Sequence, residues 1–191
     1  MKKLLILTVA ILITLSQLSG TALAARPSYP WNSTYPYSLQ TGQTRHHTIP
    51  WQQLTTFGVN EYNTAQKLTD FLNKFNSINQ ANLGEYQNVS ELVQGYFNGE
   101  SPAKETVSEL FAWMQGNLVV GPSQRTNDPG EKFDTPAFNC RQYYYPNPAY
   151  NNLEQRWNGT ANEKLQVFET LSTNAMSGNN TVNNHEPQCK W

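Results

Sequence analysis

The stretch 100–122, "ESPAKETVSELFAWMQGNLVVGP", decides the fold. Ser101 is a good N-cap and Pro102 suits the first helical turn, where a missing N–H costs nothing. Val107, Leu110, Phe111, Met114 and Leu118 then recur at helical spacing, and Gly121-Pro122 ends the run. The pattern predicts a helix over 101–118 with one apolar stripe, and such a stripe needs other elements to cover it.

The neighbouring segments supply those elements. Tyr62, Ala65, Leu68, Leu72 and Phe75 recur at three- and four-residue intervals, with Phe71 and Ile78 beside them. They predict a helix that starts near Asn60 as N-cap, with Glu61 favouring the first turn. A second helix is expected from Asn88, with Glu91 placed for a capping box, Leu92, Val93, Tyr96 and Phe97 as its apolar face, and Asn98-Gly99 as its end. Thr160 with Glu163 marks the start of a last helix carrying Leu165, Val167, Phe168 and Leu171, and Leu153 and Trp157 suit a helical turn before it. The expected fold class is mainly α: about four helices in a compact bundle-like domain, with long irregular aromatic- and Pro-rich segments and one disulfide.

The chain opens with "MKKLLILTVAILITLSQLSGTALA". Lys2 and Lys3, an apolar run over 4–15 and the small residues Ala22 and Ala24 read as a secretory signal peptide over 1–24. The run is short for a membrane span, and no later stretch is long or apolar enough to supply one. Residues 25–191 then form a single secreted domain. It divides into an extended aromatic and Pro-rich arm (25–58), a helical core (59–118), a long loop (119–150), a C-terminal helical region (151–178) and a tail (179–191). The Lys-Lys-led signal looks bacterial, which places the protein in the periplasm or outside the cell.

Only two cysteines occur, Cys140 and Cys189. In an exported chain they are expected to pair, and the closed loop would stabilise the fold by about 4 kcal/mol on chain-entropy grounds. The bridge would tie down a tail too polar to dock alone. A catalytic cysteine with a histidine partner would need the second thiol to stay free outside the cytosol.

Lys and Arg total 13 against 14 Asp and Glu, and charged residues make up 14% of the chain. No basic cluster exists, which argues against nucleic acid as a partner. No serine-hydrolase elbow, P-loop, dinucleotide fingerprint or calcium loop is present. Glu91, Glu105 and Glu109 read as solvated helix residues, and no acid/base pair stands out.

Two groups remain as candidate sites. Flat rings with amide and guanidinium neighbours suit a glycan or protein partner: Trp31, Tyr35, Tyr37 and Trp51 in the arm, and Arg141 with Tyr143, Tyr144 and Tyr145 in "FNCRQYYYPNPAY", 138–150. Pro146 and Pro148 suggest that this second stretch is extended, with Tyr143 and Tyr145 on one face and Tyr144 on the other. A small hairpin within 119–150 would be compatible, and Asn127-Asp128-Pro129-Gly130 is a strong turn signal. The alternative site is a metal or catalytic one using His46, His47, His185 and Glu186, although adjacent histidines on an extended chain point apart. The leading expectation is an exported binding protein, and the alternatives are a secreted hydrolase using histidine and carboxylates or a carrier of a metal or apolar ligand. No cofactor is indicated by any motif. Asn32, Asn88, Asn158 and Asn179 head glycosylation sequons that matter only in a glycosylating secretory pathway.

Intact-mass analysis of the exported protein is expected to give a chain starting at Ala25 and lacking the two thiol hydrogens. A mass retaining 1–24 would overturn the signal-peptide reading, and free thiols in native protein would overturn the bridge.

Overall fold

The computed structural model describes residues 26–32, 38–75, 78–174 and 191. The signal segment, Tyr35, Tyr37, His185, Glu186 and Cys189 lie outside the described residues.

Among the described residues there are seven α-helices and one two-stranded sheet, so the mainly α class holds while the count of about four helices does not. In chain order they are β1 (Gln43–His47), α1 (Trp51–Glu61), α2 (Ala65–Lys74), α3 (Val89–Asn98), α4 (Ser101–Ala112), β2 (Leu118–Pro122), α5 (Thr135–Tyr144), α6 (Leu153–Trp157) and α7 (Ala161–Thr173). No helix among the described residues is long and apolar enough to cross a membrane.

Helix α4 is the centre of the core. Ala103, Val107, Leu110, Phe111 and Ala112 are all buried on it. Helices α1 and α3 pack against it, and α2 packs on α3. Gly58 of α1 lies so close to the Phe111 ring that a Cβ there would sit 2.6 Å from it, which explains a glycine inside a helix. Tyr62, Phe71, Phe111 and Phe168 share a cluster with ring centroids 4.2–6.1 Å apart, joining the residue that caps α1 to α2, α4 and α7. Offset and edge-on arrangements of this kind add to the area term for burying large rings.

Several local signals act as expected. Asn88 accepts from the Glu91 N–H, Gly99 ends α3 with φ of 88°, and Thr160 with Glu163 forms a complete capping box. Three expectations are corrected. The helix read over 101–118 ends at Ala112, and 118–122 is a buried strand. Val119 and Val120 favour pleated backbone, and β1 is there to receive their hydrogen bonds. The arm over 25–58 is not irregular throughout, because it contains β1 and α1. Pro50 is the last of its prolines, and α1 begins at the next residue, where nothing forbids helix. Asn60 lies inside α1, and Thr64 caps α2 instead.

The third correction concerns 119–150. It holds no internal hairpin: β2 pairs antiparallel with β1, Gln43 opposite Pro122 and His47 opposite Leu118. Residues 135–144 form α5, not an extended stretch. Asp134 caps this helix by accepting from Ala137 N–H, and Pro136 sits in its first turn. Tyr143, Tyr144 and Tyr145 therefore step around a helix end and do not alternate. Tyr143 is exposed and meets Tyr144 edge-on at 4.9 Å, and Tyr144 and Tyr145 are half-buried. Cys140 is buried on α5 beside Val119 and Ala137, and no described cysteine is free.

One side chain joins the sheet to the helices. Asn117 accepts from Ile49 N–H at 2.8 Å and donates to Ile49 C=O at 2.7 Å, while its own carbonyl accepts from Thr48 N–H at 2.9 Å. It is fully buried. Asn117→Ala would strand both polar groups of Ile49, and Asn117→Asp would set a carboxylate against a carbonyl. Each is expected to lower stability by about 3 kcal/mol in denaturant unfolding, and a loss under about 1 kcal/mol would show that the pair is dispensable.

Candidate functional site

The turn between β1 and α1 and the segment that follows β2 enclose a polar cleft of about 430 Å³. Thr44, Arg45, His46 and His47 of β1 line one side, Pro50, Trp51 and Gln52 the next, and Ser123, Arg125, Asp128, Glu131 and Asp134 the far wall. In a chain with few charges, this is a local concentration of them.

Arg125 and Asp134 build the floor. The guanidinium donates twice to the carboxylate, Nη1 to Oδ1 at 3.1 Å and Nη2 to Oδ2 at 2.5 Å, with both side chains buried. A buried pair holds only when its remaining polar groups are satisfied. Asp134 meets that condition, because it also accepts from Ala137 N–H and its own N–H donates to Thr48 C=O at 2.8 Å, whereas the Arg125 Nε is buried without a hydrogen-bond partner. Asp128 stands 3.7 Å from Arg125. The expected turn at 127–130 is present, with Gly130 at φ of 60° donating its N–H to Asp128. That hydrogen bond, and then the Arg125 charge, hold the Asp128 carboxyl below the usual carboxylate range. Glu131 is tied to α1, because Gln52 donates to its carboxylate and Gln53 to its carbonyl.

The two histidines occupy different surroundings, as strand alternation requires. His46 donates Nε2–H to Pro122 C=O at 2.8 Å and lies 4.9 Å from the Trp191 ring. Burial lowers its pKa against the opposing pull of that carbonyl, and Arg125 lowers it further. His47 lies 4.5 Å from the Trp113 ring, and its Nε2 is sealed from solvent with no hydrogen-bond partner. Burial, reinforced by the charge of Arg26, brings its pKa down to about 3, against a raising contribution from a hydrogen bond to the Ala112 carbonyl. Both rings are neutral at pH 7. Among the described residues, no three His, Cys, Asp or Glu side chains gather to hold a metal ion.

The cleft therefore unites His46, His47 and Trp51 from the sequence reading. Of the other described candidates it includes none. Trp31 is buried, stacked on Phe75 at 5.8 Å and donating to Trp113 C=O at 2.9 Å. Arg141 is buried with its guanidinium 3.8 Å from the Tyr150 ring centroid and donates to Gly116 C=O, so it reads a backbone carbonyl inside the protein. Tyr143 and Tyr144 lie in the last turn of α5 and Tyr145 caps its C-terminus, all outside the cleft. The sequence reading missed Arg45, Arg125, Asp128, Glu131 and Asp134. Their signal was the clustering of charge around the turn at 127–130 in a charge-poor chain. Comparison with family models, curated proteins and solved structures finds no match for this chain.

The histidines set a pH dependence. The unfolded chain takes up a proton on His47 below about pH 6.5, whereas the folded protein resists until about pH 3, so stability falls as pH drops through that window. Between pH 7.5 and 5 the loss from this group is expected to be about 2 kcal/mol, a range that stays above the carboxylate titrations. His47→Gln should flatten the pH dependence of the melting temperature. An unchanged slope would mean that His47 is not held neutral.

Proposed function

We propose that this is an exported binding protein that takes a glycan into the cleft. The observation that carries the reading is Trp51, whose side chain shares one cleft with the amide of Gln52, the carboxylates of Asp128 and Glu131 and the guanidinium of Arg45. A sugar ring presents C–H faces that lie well on an indole, and hydroxyl groups that need both donors and acceptors around the rim. Carboxylates accept, guanidinium and amide groups donate, and a volume of about 430 Å³ suits one or two sugar rings.

The Cys140–Cys189 bridge remains part of the proposal. Cys140 lies in a small buried cluster with Val119 and Ala137, and Trp191 packs against that cluster two residues beyond Cys189 in the sequence. A secreted hydrolase in the same cleft is the second reading. It draws on His46, kept neutral by burial and oriented by its hydrogen bond to Pro122, in a cleft that also carries carboxylates, which is the state a general base requires.

Calorimetric titration with chitotriose and with a muropeptide disaccharide is expected to show saturable binding to at least one of them. Trp51→Ala should weaken it by about tenfold, the equivalent of one aromatic stacking contact. Product analysis on the same mixtures separates the two readings, since cleavage lost in His46→Ala would favour the hydrolase. Absence of binding to both saccharides, or a Trp51→Ala protein that binds as well as the parent, would overturn the glycan reading.

A further inference from the structure

Trp191 lies against the wall of the cleft without lining it. Across the two strands Thr44 pairs with Gly121 and His46 with Val119, so these four residues share one face of the sheet. Gly121 leaves a gap in that face. A Cβ there would sit 2.5 Å from the Trp191 ring, so the indole takes the place that a side chain at 121 would fill. The ring is half-buried and also packs against the cluster of Val119, Ala137 and Cys140.

Two groups that line the cleft meet this indole. The His46 ring lies 4.9 Å from it between centroids, tilted by 34°, and the Arg125 guanidinium carbon lies 5.6 Å from its centroid. Polar partners hold the same two side chains by their nitrogens: Pro122 C=O accepts from His46, and Asp134 from Arg125. A hydrogen bond fixes one atom of an imidazole and leaves the plane of the ring free to turn about it. A flat apolar neighbour removes that freedom and excludes water from the ring without adding a charge.

We infer that Trp191 is a positioning residue of the cleft, setting the plane and the dryness of the His46 ring and backing the Arg125 guanidinium before any ligand arrives. The inference rests on the reading of this cleft as the binding site. A wall fixed in advance spares a ligand the cost of ordering it. Burial is the largest influence on His46 and lowers its pKa; Pro122 C=O opposes it, Arg125 adds to it, and Asp134 and Asp128 oppose it weakly. Arg26, Arg45, His47 and Glu131 are the other titratable groups around the cleft. An indole face also favours an imidazolium, but burial prevails, since the pKa is lowered overall. Removing the indole therefore raises the His46 pKa toward the ordinary histidine value. His47 points to the opposite face of the strand, against Trp113, and serves as the internal control.

Two variants displace the ring by different routes: Trp191→Ala removes it, and Gly121→Ala keeps it but fills its place. Histidine ring protons of the full protein are followed by NMR against pH, with His46 assigned from His46→Gln. In both variants His46 is expected to titrate at higher pH than in the parent, with His47 unmoved, and Trp191→Phe should return most of the difference. The saccharide that binds the parent should bind Trp191→Ala about fivefold more weakly. An unmoved His46 in both variants would overturn the inference. So would His46 and His47 moving together, which would make the indole a support of the fold alone, or full saccharide affinity in both variants. A parent protein that binds neither saccharide would remove the glycan reading, and the His46 titration would still decide whether Trp191 positions that ring.

Discussion

The paired hydrogen bonds between the Asn117 side chain and the backbone of Ile49 are the constraint on which the rest of the molecule depends. Strand β1 ends at His47 and helix α1 begins at Trp51, which leaves a sharp corner at 48–50. Pro50 has no side chain that can cap the helix, and Thr48 and Ile49 are buried. Their backbone groups must find partners inside the protein, because a stranded amide in this setting would cost more than one hydrogen bond normally contributes. Asn117 supplies partners from one side, and Asp134 N–H supplies the partner for Thr48 C=O from the other. The corner is thus clamped between the start of β2 and the start of α5.

The same clamp makes the cleft. Asp134 caps α5, anchors the corner and pairs with Arg125, so one residue holds three elements around a single concavity. Desolvating that ion pair is expensive, and the backbone and helix-cap hydrogen bonds offset the cost. Fixing the floor in this way leaves Trp51, Asp128 and Glu131 lining the same space. Gly116 contributes at the far end of the clamp. A Cβ there would come within 2.4 Å of the Leu171 carbonyl oxygen, so α7 can lie against the turn before β2 only because the side chain is absent.

Aromatic residues divide between two tasks. Most of the large rings went to the interior, where Trp31, Trp113 and Trp157 each donate an indole N–H: to the Trp113 carbonyl, the Pro27 carbonyl and the Gln53 side chain. Such rings bury much apolar area and still satisfy their polar tip, which suits a chain that packs irregular segments over helices. The N-terminal arm over 26–32 is fastened in this way, and its Pro30 carbonyl also accepts from Asn82 N–H at 2.6 Å. Phe97 and Tyr143 are exposed at the surface, and Trp51 is half-buried, packed against the core while lining the cleft.

By itself the sequence determined whatever is encoded within one or two turns of chain. The caps at Asn88 and Thr160, the stop at Gly99, the turn at 127–130 and the apolar stripe of α4 all follow from neighbours a few residues apart, so their reading needed no knowledge of the rest. Helix α1 was hidden by the prolines before it, and α5 by two prolines after it, although the Asp134 cap with Pro136 was a local signal that could have marked its start. Tertiary structure alone decided the sheet, since β1 meets β2 across about seventy residues and nothing in either strand names its partner. It also decided that Arg141 would read a buried carbonyl and that Arg125 would pair with Asp134 at a cleft. The charge on a side chain is written in the sequence, but whether that charge meets water, a carboxylate or a carbonyl depends on which distant backbone closes over it.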